Sequence, residues 1–119
     1  MGEVEGMTVN DRKRIDDFIK EYLLIDIKIK ISKAKMIHAE YNNNVLAVSK
    51  QQKIQQKLQE LKTNIESNIN NKYLEYLKVF KMDTDEAIQE FNINKNNLFK
   101  LKKEIRAEFY DMVIKGDKC

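Results

Sequence analysis

Few side chains in this 119-residue chain could do covalent or metal chemistry. His38 is the single histidine and Cys119 the single cysteine, which excludes an internal disulfide framework and the usual His/Cys transition-metal sites. His38 comes after Met36 and Ile37 in a helical pattern and reads as a boundary residue. Cys119 is expected to be a mobile thiol that forms accidental intermolecular disulfides rather than a catalyst. Asp16-Asp17 and the group Asp83, Asp85 and Glu86 are carboxylate clusters, but both fall at helix starts, where capping and the helix dipole account for them. No nucleophile elbow, phosphate-cradling glycine loop or two-histidine zinc helix is spelled anywhere. The expectation is no enzyme, no cofactor and no metal.

A different chemistry is written into residues 80–110, FKMDTDEAIQEFNINKNNLFKLKKEIRAEFY. Between Lys95 and Arg106 there are five basic residues and one acid, Glu104. Positive charge of that density supplies the salt-dependent part of nucleic-acid binding. Asparagine can make a bidentate pair with adenine, and lysine reaches guanine or phosphate. A short helix, a three-residue turn and a longer helix is also the plan of a helix-turn-helix. In that plan Ala87 is the small residue of the first helix, Asn92 the left-handed turn residue and Asn94 the cap of the second helix. Lys95, Asn96, Asn97, Lys100 and Lys103 would then face outward to double-stranded DNA, with Leu98, Leu101 and Ile105 turned inward.

The elements that must position this segment are helical. Proline is absent, so the strongest helix breaker is missing. Residues 1–10 carry Gly2 and Gly6 and no apolar period, and are expected to be a disordered tail, with Asn10 or Thr8 capping the first helix. Ile15, Phe18, Tyr22, Ile25, Ile29 and Met36 then step by threes and fours, one stripe of an amphipathic helix reaching about Tyr41. The alternation of Ile25, Ile27, Ile29 and Ile31 is a rival strand signal, outweighed because helical stepping continues on both sides. Asn42-Asn43-Asn44 breaks the pattern. Ser49 and Gln52 have capping-box spacing, and Ile54, Leu58, Leu61, Ile65, Ile69, Tyr73, Leu77 and Phe80 continue as one long helix. Lys28, Lys33, Lys50, Lys53, Gln55, Gln56 and Lys62 read as the solvated faces of these two helices. Asp83 and Glu86 cap the next helix, with Met82 and Ala87 as a staple. The last helix carries Leu98, Leu101, Ile105, Phe109 and Met112 and ends at Gly116.

The expected architecture is therefore all-α: a long antiparallel helical hairpin over 11–81, a helix-turn-helix over 82–115 and a short tail over 116–119. The net charge of +3 is too small to imply nucleic acid by itself. No apolar run is long enough to span a membrane, and neither a secretory leader nor N-myristoylation is expected. A cytoplasmic protein is expected, in a bacterial or phage-infected cell.

Residues 94–109, NKNNLFKLKKEIRAEF, resemble the final helix of phage late-gene transcriptional regulators of the ArpU/RinA type, which are related in plan to the helix-turn-helix of sigma factor region 4. Leu98-Phe99, Lys100, Leu101, Lys102-Lys103 and Glu108-Phe109 match that family's pattern in order. The family's turn glycine is Asn92 here, its cap serine is Asn94, and its Ile-Ala stands reversed as Ala87-Ile88. The resemblance implies a sequence-specific transcriptional regulator of phage or mobile-element type that places its C-terminal recognition helix in the major groove.

The long helices would then hold a second copy or touch RNA polymerase or another host protein. A homodimer is expected, because two long helices cannot cover all the apolar residues of the first. The alternative is a non-catalytic helical protein-binding module, an adaptor, inhibitor or anti-defence protein, with Leu24, Ile27, Ile31, Leu46 and Val48 as its contact patch.

Overall fold

The computed structural model describes residues 7–116. The expected tail residues 1–6 and Cys119 lie outside them. Within the described residues the fold comprises five α-helices: α1 (Val9–Tyr41), α2 (Val45–Asn68), α3 (Asn71–Leu74), α4 (Thr84–Phe91) and α5 (Lys95–Tyr110). A 3-10 turn (Leu77–Lys81) joins α3 to α4, and a wide π-turn (Asp111–Lys115) comes after α5. Among the described residues there is no strand, so the alternating isoleucines of 25–31 belong to α1. No helix among them is long and apolar enough to cross a membrane.

Thr8 opens α1. Its hydroxyl accepts the Asp11 N–H at 3.0 Å, and the Asp11 carboxylate accepts the Thr8 N–H at 3.3 Å, a reciprocal capping box. Val9 and Asn10, expected in the tail, are thus first-turn residues. The next start also differs from expectation. Asn44, not Ser49, caps α2, its side-chain oxygen accepting the Ala47 N–H at 3.1 Å. Asn43 takes the left-handed conformation (φ 55°) in the turn before it. Asparagine serves both needs of a tight turn, the positive φ and the cap, so Ser49 stays inside the helix.

The long second helix read from the apolar stripe is shorter in the structure. It ends at Asn68, and Asn70 starts α3 with extended backbone (ψ 128°) and a side chain that accepts the Lys72 N–H. The stripe nevertheless survives the break, with Ile65, Ile69, Leu77 and Phe80 all buried. Burial does not require one continuous helix: Ile65 is buried from α2, Ile69 from the link before α3, and Leu77 and Phe80 from the 3-10 turn.

The chain divides into two compact units, one made of residues 1–21 and 69–119, the other of residues 22–68. In the first, Ile15, Ile19, Leu77, Leu98, Ile105 and Phe109 are fully buried. Phe18 meets Phe109 edge-to-face with ring centroids 6.0 Å apart. Asp16 takes two hydrogen bonds from Arg106, at 2.7 and 3.0 Å, a fork that fixes the register of α1 against α5.

The second unit is an antiparallel pair of helical stretches, shown by a ladder of polar contacts. Tyr22 donates to Glu66 at 2.7 Å, Lys62 pairs with Asp26 at 2.8 Å, and Ser32 donates to the Gln51 side chain at 2.8 Å. Gln55 donates to the Ser32 hydroxyl at 3.3 Å. Gln55 and Lys62, read as solvated surface from sequence, are half-buried partners in this ladder. Burial and the hydrogen bond to Glu66 push the Tyr22 phenol far above its ordinary range.

Candidate nucleic-acid interface

Local rules set the geometry of residues 83–110. Asp83 accepts the Glu86 N–H at 2.8 Å and opens α4. Hydrogen bonding to the backbone and side chain of Glu86 lowers the Asp83 carboxyl below its ordinary value. Asn92 closes α4 in the left-handed conformation (φ 52°, ψ 49°), its N–H bonded to the Ile88 carbonyl. Two residues later Asn94 accepts the Asn97 N–H at 2.8 Å and opens α5. The two helices are joined by a three-residue turn, Asn92-Ile93-Asn94, and do not fuse into one rod.

All five residues expected at the interface are exposed: Lys95, Asn96, Asn97, Lys100 and Lys103. Leu98 and Ile105 are buried and Leu101 half-buried, as the apolar stripe requires. The five exposed residues do not form one surface, however. On a helix turning 100° per residue, Asn96, Lys100 and Lys103 form a row opposite Leu98, Ile105 and Phe109. Asn97 and Lys100 also line an open groove of about 490 Å³ with Lys72, Tyr73, Tyr76, Ile93, Leu101 and Glu104. The Lys95 ammonium lies 5.8 Å from the centre of the half-exposed Phe99 ring.

The remaining cations of α5 serve the fold. Arg106 is committed to Asp16 and stacks on Phe80, 5.4 Å from the ring centre. Lys102 lies 5.7 Å from the same ring. Burial, and then the nearby Arg106 charge, lower the Lys102 pKa. Of the five basic residues between Lys95 and Arg106, the exposed set is therefore Lys95, Lys100 and Lys103. Glu104 sits beside them and accepts from the Tyr73 hydroxyl at 3.4 Å.

Sequence reasoning misses Lys72, Tyr73, Tyr76 and Phe99. Asn68-Ile69-Asn70-Asn71 is the signal that could find the first three, since it repeats the Asn-Ile-Asn of the α4–α5 turn and marks α3 as a separate element. His38, far from this segment in sequence, is exposed, with a ring nitrogen 3.1 Å from the Asn42 side-chain amide. Among the described residues, no group of three or more His, Cys, Asp or Glu side chains is placed to hold a metal ion.

Neither the family models, nor the curated proteins, nor the solved structures match this chain.

Proposed function

We propose that the chain is a sequence-specific DNA-binding transcriptional regulator of phage or mobile-element type, acting in the cytoplasm of a bacterial or phage-infected cell. In this reading α4 and α5 are the helix-turn-helix, and α5 enters the major groove. One observation carries it: the exposed row Asn96, Lys100 and Lys103 on the face of α5 opposite the buried Leu98, Ile105 and Phe109. Asn96 supplies a base-reading amide, and the lysines supply phosphate contacts. The resemblance of residues 94–109 to the ArpU/RinA pattern supports the same reading. A second copy would provide the other half-site, and RNA polymerase is a further candidate partner.

Replacing Lys95 and Lys100 together with glutamate is expected to abolish retention on duplex DNA at low salt and leave the far-ultraviolet helix signal unchanged. Glutamate at 95 falls in the first turn of α5, where the helix dipole favours it, so folding is not penalised. For the parent protein, Lys100 and Lys103 on phosphate give a slope of about −2 in log affinity against log salt. Retention unaffected by the two substitutions would remove the proposal. Sedimentation at two concentrations tests the second copy.

A second reading, a non-catalytic protein-binding module, is favoured by the exposure of Ile27, Ile31 and Leu46 in residues 22–68. Leu24 and Val48 of the same expected patch are half-buried. Under that reading a host protein is retained after nuclease treatment, whereas a DNA-bridged one is lost.

A further inference from the structure

The first helix carries two apolar lines within residues 22–41. One is the inner line, Ile25, Ile29, Ser32, Met36 and Ala39, which meets α2 through Ser32 with Gln51 and Met36 with Gln55. The other is Leu24, Ile27, Ile31, Ala34, His38 and Tyr41, spaced three, four, three, four, three. That is the a and d spacing of a heptad seam, apolar at every position but His38. It lies away from α2: Ile27 is 53% exposed, Ile31 50% and Tyr41 88%. Ala34 and His38 are also exposed. A monomeric helix has no need of a second strict seam in water, and the fold leaves this one open.

The charges beside the seam select its occupant. Lys30 and Lys35 occupy flanking g and e positions on either side of the seam, and within residues 24–41 no acid stands at an e or g position. Asp26, at a c position, pairs with Lys62 at 2.8 Å. A second copy on this seam would set like charges together. Parallel pairing brings Lys30 against Lys35 of the second copy. A lipid surface wants a broad apolar face, whereas this line is bordered by Lys30 on one side and Lys35 on the other, with Ile37 (64% exposed) the one exposed apolar flank between residues 24 and 41.

We infer that the outer seam of α1 is a docking surface for an acidic amphipathic helix of a partner protein, with apolar a and d residues and glutamates at its flanks. This inference gives the second reading above a definite place and chemistry and does not rest on α5.

The test uses the full chain and a synthetic three-heptad peptide with isoleucine and leucine at a and d and glutamate at e and g. A matching peptide with lysine at e and g is the control. Fluorescence anisotropy is expected to show the glutamate peptide binding at least tenfold tighter than the lysine peptide. The exposed double variant I27S/I31S should lose that binding while keeping its helix signal. The double variant K30E/K35E should invert the preference. No binding of the glutamate peptide, or equal binding of both peptides, overturns the inference. So does retention on vesicles of anionic phospholipid that I27S/I31S abolishes while peptide binding is absent, and so does self-association that the same variant abolishes. A host protein captured equally by the parent and I27S/I31S would keep a protein-binding role and remove this seam as its place.

Discussion

At the residue scale, the first unit is fastened by the Asp16–Arg106 fork, whose side chains are 24% and 18% exposed. Removing one partner leaves the other desolvated charge with no counterion. Asp16→Asn is expected to cost about 2 kcal/mol, the usual worth of hydrogen bonds to a charged group in a half-buried place, read from the urea midpoint. Tyr22 makes a separate prediction about pH. Its folded pKa is raised above the ordinary value of 10.0, so the folded state holds the phenolic proton where the unfolded state has lost it. The stability this contributes is fully present below pH 10 and falls away as pH rises above it. Tyr22→Phe should remove that component. The gap in urea midpoint between parent and variant is expected to be constant from neutral pH to about 9 and to narrow beyond 10.

At the element scale, asparagine is the punctuation of this chain. Asn43 and Asn92 take the left-handed conformation, and Asn44, Asn70 and Asn94 accept backbone N–H groups at helix starts. Asn94→Ala should cost about 1 kcal/mol of stability, and Asn94→Ser should restore most of it, because serine caps nearly as well. The same residue type explains what can be read in advance. The turns at 42–44 and 92–94 are legible because asparagines interrupt an apolar period that itself lapses there. The break at 68–71 is masked, because Ile65, Ile69, Tyr73 and Leu77 keep helical spacing across it, and only the run Asn68-Ile69-Asn70-Asn71 betrays the cap at Asn70. The far end of α5 shows another such limit. The stripe points to Met112, yet Val113 and Ile114 are the buried pair. The wide turn closed by the Gly116 N–H on the Asp111 carbonyl inserts an extra residue and rotates the inward face. The exposed positions of the candidate interface are legible from the α5 stripe alone. The groove beside them is not, since it depends on α3, an element no periodicity announces.

At the scale of the whole molecule, the two units have separate cores. Ile65 is buried in one and Ile105 in the other. Truncating either to alanine is expected to cost roughly 2–5 kcal/mol. Hydrogen exchange should place the loss differently, over 22–68 for Ile65→Ala and over 9–21 and 71–115 for Ile105→Ala. Uniform loss of protection in both variants would show a single cooperative core instead.

The Arg14 guanidinium reaches the Val113 carbonyl across 99 positions of sequence. On a ribosome this separation sets an order of events. Residues 22–68 emerge together and close on themselves through a turn of three residues, so they can fold early in synthesis. The opening turns of α1 must wait, with Ile15 and Ile19 uncovered, until the last helix leaves the exit tunnel. A nascent chain halted with residue 68 just outside the tunnel would therefore hold a finished hairpin while Ile15 and Ile19 stay uncovered, in the stretch a chaperone would be expected to grip.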